Sequence, residues 1–214
     1  MNKRIILAGG GRVYENCKRT IETYFGEDLY NPPINLFLKE IKRGENIESC
    51  EKGDIIISAG YDVKVNQTIL EKALCVNVHL SKLPDYRGSN IFYWGIRNDE
   101  RVWGVTLHKM SERIDMGDII CQRVFEVFEN DTAGTLYERA VEHARNMFAE
   151  EFPNLLTGNF KLKKQKEKGV FYYKDRIDFN SPVLIKDKEL RARLIKGKSV
   201  RIMVGGSFYE LNGK

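Results

Sequence analysis

The chain has 214 residues, 42% hydrophobic and 30% charged, with 35 Lys and Arg against 30 Asp and Glu for a formal net charge of +5. That length bounds the expectation to one domain, or one domain with a short appendage, and no apolar run approaches the roughly 20 residues that span a bilayer. The positive excess is mild and falls late, in residues 161–168 and 191–201, which fits a solvated surface or an anionic small substrate better than a nucleic-acid footprint.

Residues 5–8 form an apolar stretch too short for a signal-peptide core. Residues 4–9 read as a buried first strand running into Gly9, Gly10 and Gly11, and residues 15–25 as a helix closed by Gly26. Strand, glycine turn and helix open a doubly wound α/β domain. The third glycine of a dinucleotide fingerprint is missing, so the expectation is a tight turn under the helix start, with phosphate contact as the alternative. Pro32 and Pro33 break the chain, and residues 34–38 suggest a short strand. Residues 54–60, apolar and β-branched, read as a buried parallel strand. Residues 67–74 form a short helix leading into the next strand. The cysteines, Cys17, Cys50, Cys75 and Cys121, show no C-x-x-C pair and no zinc spacing. A reducing, cytoplasmic compartment is expected, with Cys75 and Cys121 as free thiols inside strands.

Residues 76–88, V-N-V-H-L-S-K-L-P-D-Y-R-G, carry the most information. Side chains alternate along a strand, so Asn77 and His79 share one face while Val76 and Val78 take the other. An amide and an imidazole side by side at a strand end make a carbonyl-activating pair: the amide donates to a developing oxyanion, and the imidazole donates or takes up a proton. Leu83 and Pro84 stop the strand, Arg87 and Gly88 read as a turn, and Ser89 is the expected N-cap of a helix over residues 90–97. Phe92 and Trp94 in that helix are expected to pack rather than stack on a ligand. Residues 104–110 form a strand, followed by a loop in which Asp115 turns with Gly117, and then a second strand from Ile119. His108 reads as structural. Asp131 or Thr132 starts a helix whose apolar stripe is Leu136, Ala140, Ala144, Met147 and Phe148, with Gly158 just beyond its end. His143 lies beside that stripe as a packing or surface histidine. Residues 170–173, 189–194 and 200–211 read as strand, short helix and a hairpin turning at Gly205 and Gly206.

The order N-x-H-x-S-x-L-P-x-Y-R-G, G-V-T-x-H-x-M and D-x-G-x-I resembles the formyltransferase family, most densely over residues 54–156. The resemblance implies transfer of the formyl group of 10-formyltetrahydrofolate to an amine, with no metal. It also implies a Rossmann-like doubly wound, mostly parallel sheet, the formyltransferase fold. Residues 1–160 would form the catalytic domain and residues 161–214 a short C-terminal strand and hairpin extension. The family's catalytic Asn, His and Asp fall on Asn77, His79 and Asp115; Asp118 lacks the glycine two positions on. Ser81 is expected to shape the loop rather than act as a nucleophile. The matching pterin positions are Tyr61, Val63 and Val65 and the backbone of Glu112, Arg113 and Ile114. Arg12 and Arg87 are candidates to hold a diphosphate.

The wording of residues 86–88 and 104–110 resembles enzymes that formylate a nucleotide-linked amino sugar. Residues 131–137, D-T-A-G-T-L-Y, are shared with methionyl-tRNA formyltransferase, the second choice of acceptor; glycinamide ribonucleotide is the third. Two further expectations are a shortened N-terminal half and the lack of a sizeable tRNA-type C-terminal domain. The expected partner is a small-molecule amine acceptor, with a homodimer left open and neither membrane nor nucleic acid engaged.

Overall fold

Strands buried on both faces are built from uninterrupted apolar, β-branched runs, and Ile55–Ala59, with all five residues buried, sits inside the main sheet. The computed structural model describes residues 3–26, 36–166, 169–174, 183–184, 199–204 and 207–212. In chain order the elements are β1 (Lys3–Gly9), α1 (Arg12–Phe25), β2 (Leu36–Lys42), β3 (Ile55–Ala59), α2 (Gln67–Lys72), β4 (Leu74–His79), β5 (Arg87–Gly88), α3 (Ile91–Arg97), β6 (Val102–Lys109), β7 (Ile119–Glu126), α4 (Ala133–Thr157), β8 (Phe171–Tyr172), β9 (Val183–Leu184), β10 (Ser199–Val204) and β11 (Ser207–Asn212).

The main sheet has the order β2-β1-β3-β4-β6-β7. The first four strands run parallel, and β6 is antiparallel to both of its neighbours. Alternation sorts the strands into two cores. Ile5, Leu7, Ile55, Ile57, Val76, Val78, Val105 and Leu107 bury with α1, α3 and α4 residues on one face. Ile6, Ala8, Ile56 and Cys75 bury with Ile69 of α2 on the other. Each fully buried side chain of this size contributes about 1.5–3 kcal/mol. The expected stripe of α4 is buried throughout. Its start is a capping box between Thr132 and Thr135, and Gly158 ends it at φ 74°. Among the described residues, no helix is long and apolar enough to cross a membrane.

Several local expectations are revised. Gly11 caps α1, which therefore begins at Arg12. Gly9 has φ 140°, and a Cβ there would lie 2.0 Å from the Ala59 carbonyl oxygen, so close strand approach accounts for that glycine. β2 runs on to Lys42 and pairs with β1 along its full length. The cap of α3 is Asn90 in the left-handed region rather than Ser89. Arg87 and Gly88 are not a free turn: they pair in parallel with Phe171 and Tyr172. Phe92 packs on Trp103 and Tyr137, and Trp94 stacks on Tyr172 at 5.1 Å, as expected of packing aromatics.

Beyond residue 160 the chain makes backbone pairings with the preceding part. Lys163 pairs with Ile119, and β8 lies against β5. β9, β10 and β11 form a separate three-stranded sheet in which β10 and β11 are antiparallel. The expected break at Pro32 and Pro33, the helix over residues 189–194 and the turn at Gly205 and Gly206 lie outside the described residues.

Candidate active site

On the α2 face the sheet turns from apolar to polar at the end of β4. Ser58 of β3, Asn77 of β4 and His108 of β6 are neighbours in register, and Thr106 lies opposite His79. Ser58 Oγ donates to Asn77 Oδ1 at 2.8 Å, which turns the amide nitrogen away from β3. Asn77 Nδ2 then lies 3.1 Å from His108 Nε2 and 3.4 Å from Asp115 Oδ1.

The two imidazoles are held in opposite tautomers. His79 Nε2 is 2.9 Å from the Tyr86 carbonyl oxygen. A carbonyl only accepts, so Nε2 carries a proton. Nδ1, 3.6 Å from Asp115 Oδ1, is left to gain or lose one. His108 Nδ1 donates to the Lys109 carbonyl at 2.7 Å, leaving Nε2 as the acceptor for the Asn77 amide. His79 and His108 are 8% and 1% exposed, and their rings meet edge to face at 6.4 Å.

Asp115 lies in the loop between β6 and β7, with φ 55°. A left-handed non-glycine residue costs about 1–3 kcal/mol and persists only where its surroundings hold it. Gly88 N donates to Asp115 Oδ2 at 2.9 Å, and Gln165 Nε2 donates to the Asp115 carbonyl at 3.0 Å. Burial pushes the Asp115 carboxyl up. The charge of His79, the neighbouring His108 ring and the Gly88 N–H outweigh that and hold it well below the usual carboxylate range. The loop before it is shaped by Ser81, whose Oγ donates to the Asp85 carbonyl at 2.8 Å. Tyr86, at φ 57°, is clamped by its hydroxyl on Glu100 and by stacking on Tyr172.

The structure therefore brings Asn77, His79 and Asp115 together and adds His108. From sequence His108 reads as structural, because it is the antiparallel β4–β6 register that sets it opposite Asn77. Gln165 carries no expectation from the sequence. It is a half-buried amide among exposed lysines, with no local signal.

The two arginines are not found where they were expected. Arg87 is 4% exposed and turns inward, its Nη2 donating to Gln165 Oε1 at 3.4 Å and the Lys166 carbonyl at 3.3 Å. Burial and the nearby Arg113 lower its pKa. The β5–β8 pairing holds its backbone, so it presents no guanidinium to a solvent-borne diphosphate. Arg12 pairs with Glu138 across α1 and α4 and is in none of the contacts around Asp115. It lines a cavity of about 820 Å³ with Arg19, Glu142 and Arg145.

Of the expected pterin positions, Val65 is buried, and half-buried Tyr61 and Met110 pack on the same cluster. The Tyr61 hydroxyl donates to the Glu45 carbonyl. Val63 is half-buried, and Glu112, Arg113 and Ile114 are exposed, Ile114 to 54%. An exposed isoleucine next to a buried aspartate, on a loop that leaves Met110, offers apolar surface that a flat ring system fits, while the Arg113 carbonyl already accepts from Ser111 Oγ and Met116 N.

Residues 38–151 match the family model described as formyl transferase. A methionyl-tRNA formyltransferase from Bacillus velezensis is 32% identical over 154 residues, covering 67% of this chain and 49% of that protein. The chain spans about half the length of the curated relatives it matches. An N-formyltransferase from Helicobacter canadensis, solved with folinic acid and dTDP-3-aminofucose, has a TM-score of 0.79 at 22% identity, covering 96% of this chain and 85% of that one. A formyltransferase from Anoxybacillus kamchatkensis, solved with UDP-4,6-dideoxy-4-formamido-L-AltNAc and tetrahydrofolate, has a TM-score of 0.66 at 26% identity, covering 89% of this chain and 90% of that one.

Proposed function

We propose, from the premise that this chain belongs to the formyl transferase family, that it transfers a formyl group from 10-formyltetrahydrofolate to the primary amine of a nucleotide-linked amino sugar. The observation that carries the reading is the convergence of Asn77, His79 and Asp115 at the end of β4. When bound, the folate supplies an activated formyl carbon on a nitrogen leaving group.

In the transfer, the acceptor nitrogen bonds to the formyl carbon and the bond from that carbon to the folate nitrogen breaks. Asn77 Nδ2 and a protonated His79 Nδ1 donate to the oxyanion formed in between. The long Asn77–Asp115 bond, 3.4 Å, is the one exchanged for the oxyanion. Asp115 takes the proton the amine loses, and His79 Nδ1 gives its proton to the departing nitrogen. His79 is one of the groups, with His108 and the Gly88 N–H, that lower the Asp115 carboxyl. Transfer of that proton from Asp115 back to His79 Nδ1, across 3.6 Å, restores the starting state. No covalent intermediate with the protein is required. Tyr61, Val63, Val65 and the backbone of Glu112 to Ile114 would hold the pterin.

The sugar acceptor draws support from the ligands of the Helicobacter and Anoxybacillus enzymes, both nucleoside-diphosphate sugars. Methionyl-tRNA is the second reading, favoured by the names of the curated relatives. Incubation with 10-formyltetrahydrofolate and either a panel of amino-sugar nucleotides or methionyl-tRNA, followed by mass spectrometry, separates them. A formylated sugar nucleotide with unreacted tRNA is expected. Formylated methionyl-tRNA with every sugar inert would reverse the choice, and no formylated product from either would overturn both readings.

A further inference from the structure

The segment after α4 enters the site from behind. Lys161 to Lys164 and Lys166 are exposed, yet Gln165 between them is half-buried. Its Nε2 donates to two carbonyls of the Asp115 loop, Asp115 at 3.0 Å and Gly117 at 2.7 Å. Arg87 Nη2 donates to its Oε1. A guanidinium can only donate, so Arg87 fixes which end of the amide faces the loop. Lys163 pairs with Ile119 at the far end of the same loop. Two residues of the segment thus grip the loop that holds Asp115 at φ 55°.

The β8 residues complete the grip from the other side. Arg87 N donates to the Val170 carbonyl at 3.1 Å and Ser89 N to the Tyr172 carbonyl at 2.8 Å. Between them the Gly88 N–H is left to point at Asp115 Oδ2. The carboxylate and its own peptide are therefore located by residues 163–166 and 170–172.

We propose that Gln165 is a positioning residue for formyl transfer: it holds the Asp115 loop in the geometry from which the carboxylate reaches His79, with Arg87 as the group that orients it. This rests on the formyl-transfer reading above. Gln165 touches neither acceptor nor folate in this role, so its loss acts on turnover rather than on binding.

Gln165→Ala removes both donors. Gln165→Glu removes them while keeping the size, and so guards against a packing defect. Both variants should lower kcat about tenfold or more while the KM for 10-formyltetrahydrofolate stays within about twofold, since small misplacements of a catalytic group cost rate. Imidazole nitrogen NMR gives a readout independent of turnover, because the chain has three histidines. His79 and His108 face Asp115, and His143, stacked on Phe125 at 4.2 Å, is the internal control. In both variants the His79 and His108 resonances should move and His143 should stay. An unchanged kcat, or unmoved site histidines, would overturn the proposal, as would movement of all three. If the wild-type protein forms no formylated product while the two site resonances still move, the functional reading fails and the placement of Asp115 by Gln165 stands.

Discussion

Asn77 and His108 face each other across the antiparallel β4–β6 ladder, and their side chains meet at 3.1 Å, Nδ2 to Nε2. With His108 Nδ1 committed to the Lys109 carbonyl, the Asn77 amide is held between Ser58 and His108, with Asp115 Oδ1 the longer third contact at 3.4 Å. His108→Leu frees that amide. The expected result is a kcat lower by about 10–100-fold with little change in folate KM, against about 100–1,000-fold for Asn77→Ala, which deletes the proposed oxyanion donor itself. Steady-state kinetics checks the order, and His108→Gln, which keeps an acceptor, should recover part of the loss. A His108→Leu rate equal to wild type would remove His108 from the site.

Asp115 makes stability depend on pH in a set direction. Although burial pushes its carboxyl up, His79, His108 and the Gly88 N–H leave it below its unfolded value, which is about 3.9. A lowered carboxylate stabilises the fold fully above that value, and the contribution is lost as pH falls toward the folded one. Urea unfolding measured from about pH 5 down to pH 2 should therefore show wild type losing stability more steeply than Asp115→Asn. Parallel curves would mean the carboxylate is not so placed. At neutral pH, Asp115→Asn and His79→Ala should each cost about 100-fold or more in kcat.

Gly88 joins fold and site. Its φ is 87°, and a Cβ would lie 2.3 Å from the Tyr172 carbonyl oxygen. Gly88→Ala cannot keep the β5–β8 pairing and the N–H on Asp115 together. Strain of this kind costs about 1–3 kcal/mol, and each kcal/mol lowers Tm by about 2–4 °C in a chain of this size. Calorimetry should find that loss together with a fall in kcat. A stable Gly88→Ala protein with full activity would show that the peptide N–H is dispensable.

Phe148 tests the opposite separation. It is fully buried under α4, on the sheet face away from Asn77 and His79. Phe148→Ala should cost about 3–5 kcal/mol through lost transfer energy and a cavity, read as a lower urea midpoint. The kcat of the folded protein should be unchanged, and a rate loss equal to that of His79→Ala would tie this core to the chemistry.

Period-two alternation is a property of one strand alone. The sequence therefore determined that Ile55–Ala59 is buried on both faces and that Asn77 and His79 share a face opposite Val76 and Val78. Helix α4 was legible for the same reason, since its stripe and its Thr132 and Gly158 ends are written within its own residues. Tertiary structure alone decided that His108 meets Asn77, that Arg87 turns inward and that Gln165 reaches Asp115. Those contacts join residues 31, 78 and 50 positions apart. Each depends on which strands become neighbours and in what register, a choice made by packing the two apolar faces of the sheet, and no local pattern around His108, Arg87 or Gln165 encodes it.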